Sequence, residues 1–442
     1  MGKYWNKLTL LVLFISSFNI ACNKNSGFTE PPVAPVAKIA MEQFFTTTNH
    51  EATIKAHLSN AERARSFIID YGFLFSESPF EEFVGADKIS LGNNFEGSGN
   101  FSTVLSPLTE RFYYVRAYVS YEDDEDYFSD LSVINTQPGK WVEKATFPGD
   151  GKINATSFVI DGKAYIAGGQ SDELWMYDPA GNAWTQRAPS PKPLNDPVNF
   201  VIGNKAYVGM NIHGIEQNRL PDFWCYDPAK DEWSAVASPS EFKGSIVENP
   251  VAFAMRGRGY LECNYNLMLQ YNPISDAWDF APPQEIFQFD RANAISITMG
   301  DSVLVIGGTD AADDYREDVQ LYTGRNNSWE IKNTFPQDPF FGNELGRTGG
   351  TGFSIHSDFY AGMGEADSRL SHTDLLVYIP RYDMWAANST IPTLINQGFG
   401  MQQAVGFSIG NTGYVGLGRR SWREGAQDFS ELNFRMWAFE VE

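Results

Sequence analysis

Six tryptophans, at positions 141, 184, 233, 278, 329 and 385, recur at intervals of 43 to 56 residues. Such a period constrains the fold strongly. A unit of that length cannot bury its own apolar face, so copies must stack on one another. About seven residues before most of these tryptophans stands Tyr-Asp-Pro or a variant, as in Tyr177-Asp178-Pro179, Tyr226-Asp227-Pro228, Tyr271-Asn272-Pro273 and Tyr378-Ile379-Pro380. Upstream lie an apolar strand, a Gly/Asn/Asp turn such as Ile160-Asp161-Gly162-Lys163 or Ile409-Gly410-Asn411-Thr412, and a second strand. That second strand ends in Gly168-Gly169 or Gly307-Gly308, with degenerate forms at Gly209-Met210, Gly362-Met363 and Gly416-Leu417.

Paired glycines, then a tyrosine, then a tryptophan resemble the kelch repeat. The resemblance covers residues 140–442 and implies a six-bladed β-propeller of the type in the central domain of galactose oxidase. Trp141 to Pro148 reads as an outer strand with no repeat before it, and the last repeat lacks one. Pairing of the two is expected to close the ring and remove exposed sheet edges. The tryptophans are expected to pack between blades, not to form a sugar-binding stripe.

Residues 33–137 read differently. Short alternating strands are separated by turns, with Phe112-Tyr113-Tyr114-Val115-Arg116-Ala117-Tyr118-Val119 the strongest. Tyr71-Gly72-Phe73, Leu108 and this strand resemble the fibronectin-III and Ig-like modules of bacterial surface proteins, which implies a β-sandwich. The fold class expected is therefore all-β, a sandwich followed by a propeller. The acidic turn Glu122–Asp126 reads as solvated, and no metal is expected there.

The first residues carry Lys3 and Lys7, then an apolar run from Leu8 to Phe18 that is too short to span a bilayer. It runs into Ala21-Cys22, which resembles a lipoprotein signal. That implies a signal peptide at 1–21, an acylated Cys22, a tether at 22–32 and a location at the outer membrane, facing the periplasm or the surface. Acyl chains contribute about 0.8 kcal/mol per buried CH₂, so lipidation would anchor the protein durably. Membrane contact is expected through the lipid alone.

The formal net charge of -22 argues against nucleic acid, which requires a basic face. Cys225 and Cys263 fall in different repeats and are read as two buried free thiols. No Cys/His spacing suggests zinc, no nucleotide loop is present, and no cofactor is expected.

Loop length points to a functional face. One set of turns is uniformly short. The opposite set holds long polar loops at Asn211–Pro221, Thr309–Glu317, Glu365–Thr373 and Arg419–Asp428, with Phe335–Arg347 between blades. It gathers Arg219, Arg316, Arg347, Glu365, Arg369, His372, Arg419 and Trp422, arginines suited to bidentate capture of a carboxylate or sulfate. Asn154, Asn199, Asn293, Gln402 and Gln403 are placed at or near the channel mouth. The leading expectation is a non-catalytic envelope module that binds glycans or a protein partner. The alternative is a sugar mutarotase, because six-bladed kelch propellers include periplasmic sialic acid mutarotases. A copper-radical oxidase is disfavoured: His356 falls on the short-turn face, and both cysteines sit in strands.

Overall fold

A computed structural model describes residues 38–441 apart from 42–45, 49, 60–66, 96–98, 123–125, 138, 210–221, 240, 242–248, 264–266, 283–290, 311, 327, 337–345, 366–370, 388–399 and 425–426. Cys22, Arg219 and Arg369 lie outside the described residues. What is described is all-β, with no α-helix.

The first meander shows how the repeat folds. Ala155–Ile160, Lys163–Gly168, Leu174–Asp178 and Ala183–Arg187 pair antiparallel in chain order. The innermost strand alternates half-buried and buried residues, the second is buried almost throughout, and the fourth is largely exposed. This gradient suits blades that are packed on both sides near an axis and free at the rim. The order repeats in runs starting with the inner strands Val198–Ile202, Ala252–Met255, Ile295–Met299 and Thr351–Ile355. A further sheet joins Val405–Ile409, Thr412–Gly416 and Met436–Glu440 to Lys140–Glu143, with Lys140 opposite Glu440. The inner strands touch one another cyclically, the last meeting the first, in a β-propeller arrangement.

Adjacent meanders are joined by a clasp that explains the Tyr and Trp spacing. Tyr226 Oη donates to Asp231 Oδ1 at 2.7 Å. The same oxygen accepts the Ala188 N–H of the preceding meander at 2.9 Å, and Trp233 Nε1 donates to the Ala188 carbonyl at 2.9 Å. The set recurs as Tyr177, Asn182 and Trp184 on Ala145, as Tyr271, Asp276 and Trp278 on Ala237, and as Tyr378, Asp383 and Trp385 on Asn333. All four Asn/Asp residues have φ between 44° and 57°, a region that short polar side chains tolerate best after glycine.

The N-terminal residues build two sheets. One pairs Glu51–Leu58 with Ile39–Met41, Thr46–Thr48 and Asn100–Leu105; the other centres on Ile68–Ser76 and Phe112–Tyr121. They pack across buried Ile54, Leu58, Phe73, Leu105, Val115 and Val119. Tyr113 Oη accepts the Thr109 and Glu110 N–H groups at 3.0 and 3.2 Å, pinning the corner before its strand.

The second of these sheets is not separate from the propeller. Ser132–Asn135 pairs with Phe112–Tyr121 and also, through Val133 opposite Ala386, with Met384–Ala387, which makes one nine-stranded sheet. Arg111 Nη1 meets Asp358 Oδ2 across the joint at 2.8 Å, while Nη2 donates to Tyr360 Oη. Tyr114 and Tyr382 meet edge to face with centroids 5.1 Å apart.

Candidate functional site

The inner strands begin at one end of the channel, and the residue introducing each has the same conformation. Asn154, Asp196, Asn249, Asn293, Gly349 and Gln403 all have positive φ, from 43° to 60°. Each is followed by Ala, Pro or Gly before or at the start of the strand. This left-handed step turns the incoming chain into the strand and aims the residue at the axis. The six residues form a collar around a cavity of about 170 Å³. Neighbours are tied through the main chain: Asn293 N to Asn249 O at 3.1 Å, Gly349 N to Asn293 O at 3.1 Å, and Gln403 N to Gly349 O at 2.7 Å. Asn249 Nδ2 donates to Asn293 Oδ1 at 2.7 Å. Four collar members carry amides, one is glycine, and Asp196 is the one carboxylate in the lining of this cavity. The collar lies where meanders connect, on the face with the long loops.

The channel beyond the collar encloses about 580 Å³. Several of its polar side chains point sideways into the seams between meanders. Ser157 Oγ donates to Gly406 O at 3.2 Å, Ser354 Oγ to Thr298 O at 3.3 Å and Asn199 Nδ2 to Ser157 O at 3.0 Å. These groups hold the ring together.

Of the nominated arginines that are described, Arg347 is internal, whereas Arg316 and Arg419 are half-buried. Arg347 is 2% exposed; its Nη1 and Nη2 grip Asp374 Oδ1 and Oδ2 at 2.7 and 3.1 Å, and Nη1 also reaches Met363 O at 2.8 Å. Burial would raise the Asp374 carboxyl, yet the guanidinium holds it below its ordinary value. Arg316 pairs through Nε with Asp318 Oδ1 at 3.0 Å. Burial likewise opposes ionisation of Asp318, and the charges and hydrogen bonds of Arg291, Gln320 and Arg316 depress it.

Arg347 also follows a repeat rule that the sequence reading missed. Two residues before the collar residue stand Lys152, Leu194, Arg291, Arg347 and Met401, all buried. The three cations meet the acid that precedes the third strand of their meander: Lys152 with Glu173 at 2.7 Å, Arg291 with Asp318, and Arg347 with Asp374. Each pair fastens the incoming loop beneath the collar. Leu194 and Met401 fill the same position without charge.

His372 is also buried, with its N–H on Gly364 O at 2.8 Å and its carbonyl accepting from Met401 N at 3.0 Å. Glu365 is half-buried and bridges to Thr348 and Ser371. The residues from Arg419 to Asp428 are not a loop: Arg419–Glu424 and Gln427–Leu432 form a hairpin that also pairs with Gly400–Gln402. Trp422 lies opposite Phe429 across it, their rings stacked at 5.6 Å. Arg420 pairs with Glu431 along it. Arg419 is half-buried and reaches the collar itself, through Nη2 to Gln403 Oε1 at 3.1 Å. The structure thus brings Arg419 and Gln403 together at the mouth and withdraws Arg347 and His372 from it.

No family model matches the chain. It is 26% identical over 204 residues to proteins named N-acetylneuraminate epimerase from Escherichia coli (strain K12) and Shigella boydii serotype 4 (strain Sb227). The match covers 43% of this chain and 51% of each relative, so the chain spans about half the length of the curated relatives it matches. The solved structure of YjhT aligns with 65% of this chain and 99% of its own, at a TM-score of 0.50 and 14% identity. That likeness supports the propeller fold.

Proposed function

We propose that this chain is an exported lipoprotein, anchored through Cys22, in which a fibronectin-III or Ig-like sandwich carries a six-bladed kelch propeller that interconverts the anomers of an acidic sugar at its collar. The observation that carries the reading is the collar itself. Amides of Asn154, Asn249, Asn293 and Gln403 converge with one carboxylate on a small cavity, a donor and acceptor set suited to sugar hydroxyls. The relatives named N-acetylneuraminate epimerase supply the reaction class. Arg419, resting on Gln403, adds a cation for the sugar's carboxylate. Interconversion proceeds through the open chain and needs proton transfer at the anomeric hydroxyl and the ring oxygen. No metal or cofactor is required for it.

The test is anomer exchange of N-acetylneuraminate followed by NMR. Exchange faster than the buffer rate, in proportion to enzyme, is the expected result. Saturation transfer to the protein without faster exchange would return the chain to the glycan-binding reading, and neither signal would refute a saccharide site for this probe.

A further inference from the structure

We propose that Asp196 is the proton shuttle of this site, a reading that rests on the proposed mutarotase activity. The collar is a repeat position, and at repeat positions an exception is informative. Lining the same cavity in the same left-handed conformation, the other blades place Asn154, Asn249, Asn293, Gly349 and Gln403. Asp196 alone brings a carboxylate. It is 9% exposed and faces the cavity beside Pro197 and Val198, with the amide residues Asn154 and Asn249 on the flanking meanders. The conformation does not call for an acid, since asparagine holds it in three other blades. The charge is therefore a chemical feature of the position, not a conformational one.

The step balances with one carboxylate. One oxygen of Asp196 takes the proton of the anomeric hydroxyl as the bond from the anomeric carbon to the ring oxygen breaks. That electron pair leaves on the ring oxygen, and the anomeric carbon becomes a carbonyl. The carboxyl then gives its proton to the ring oxygen, so Asp196 ends as it began. Rotation about the adjacent carbon–carbon bond exposes the other carbonyl face, and the reverse sequence closes the ring as the opposite anomer. No oxidant or reductant enters. The amides Asn154 and Asn249 orient the sugar and transfer no proton.

The experiment compares the full chain with Asp196→Asn, Asp196→Glu and Asp196→Ala, measuring N-acetylneuraminate anomer exchange by NMR over a range of sugar concentration. Asp196→Asn reproduces a residue the collar already uses, so the fold is expected to persist, as circular dichroism would show. The expected result is a fall in kcat of about 10²- to 10⁴-fold with KM little changed. Asp196→Glu should restore part of the rate, and added formate should rescue Asp196→Ala but not wild type. A purely structural carboxylate would give no formate rescue. Wild-type activity that survives in Asp196→Asn overturns the assignment and leaves the mutarotase reading standing. Absence of activity in the wild type overturns both.

Discussion

Arg347→Ala distinguishes a ligand-binding arginine from a structural one. The side chain is buried and makes two hydrogen bonds to Asp374 and one to the Met363 carbonyl. Removing it strands a carboxylate that is itself only 6% exposed. Breaking a buried pair from one side costs about 3–5 kcal/mol, a large share of the stability of a typical domain. The double variant Arg347→Met/Asp374→Leu removes both charges and installs the type of residue that Leu194 and Met401 already provide at this register, so most of the loss should be recovered. Urea denaturation followed by tryptophan fluorescence measures both. The pH dependence has a definite sign. Asp374 is held below its ordinary value of 3.8, so its contribution is present above that value and is lost as pH falls through the lower folded-state value. The double variant should lose less stability than wild type on acidification below pH 3.8. A single variant with wild-type stability and weakened sugar binding would refute the argument and restore Arg347 as a ligand contact.

Asp231→Ala should cost about 2 kcal/mol, because it deprives the Ala188 N–H and the buried Tyr226 hydroxyl of one acceptor together; Tyr226→Phe, which removes the hydroxyl donor and leaves Asp231 bonded to the Ala188 N–H and paired with Arg187, should cost less, and denaturant midpoints rank the two. Arg111→Ala removes the ion pair across the joint with Asp358 and is expected to speed amide exchange in Ser132–Asn135, measured by mass spectrometry, while exchange in the first meander stays as in wild type. Trp233→Ala loses an indole packed on Tyr226 and bonded to Ala188, with an expected cost of about 3–5 kcal/mol in the same denaturation assay.

The repeat was legible because its signals are local. Tyrosine, tryptophan and paired glycines stand at fixed distances, and strand periodicity supplied the elements between them. The site was harder to read because polarity alone does not tell which way a side chain points. Arg347 and His372 stand in a polar stretch, and only the fold shows that they turn inward. A signal was present: Lys152, Arg291 and Arg347 share one repeat register, and a cation in register with Leu194 and Met401 belongs to a buried position. Asp196 was missed for the opposite reason. Asn154 and Asn293 drew attention as amides near inner strands, but their link to Asp196 is a backbone conformation that emerges only once six φ values are compared. The hairpin at Arg419 was read as a loop because its largely polar run, Arg-Arg-Ser-Trp-Arg-Glu-Gly, carries no apolar alternation to mark strands. The union of the N-terminal sheet with the propeller rests on Val133 opposite Ala386, residues far apart in sequence with no local mark.

The buried pairs and the collar have linked roles. A sugar site gains from groups held in place before the ligand arrives, since ordering them on binding would cost conformational entropy. The collar residues start strands and follow long connections, and such connections fluctuate unless fastened. Lys152, Arg291 and Arg347 supply the fastening two residues upstream, and the main-chain bonds from Asn293 to Asn249, Gly349 to Asn293 and Gln403 to Gly349 pass it around the mouth. Arg347, which looked like a ligand contact, thus acts one step removed, by fixing the backbone from which the amides and Asp196 project. On this argument Arg347→Met/Asp374→Leu should retain anomer exchange with an unchanged kcat wherever the protein remains folded, because the collar depends on the fastening and not on its charge. A folded double variant with a large kcat defect would show that the charge itself reaches the sugar.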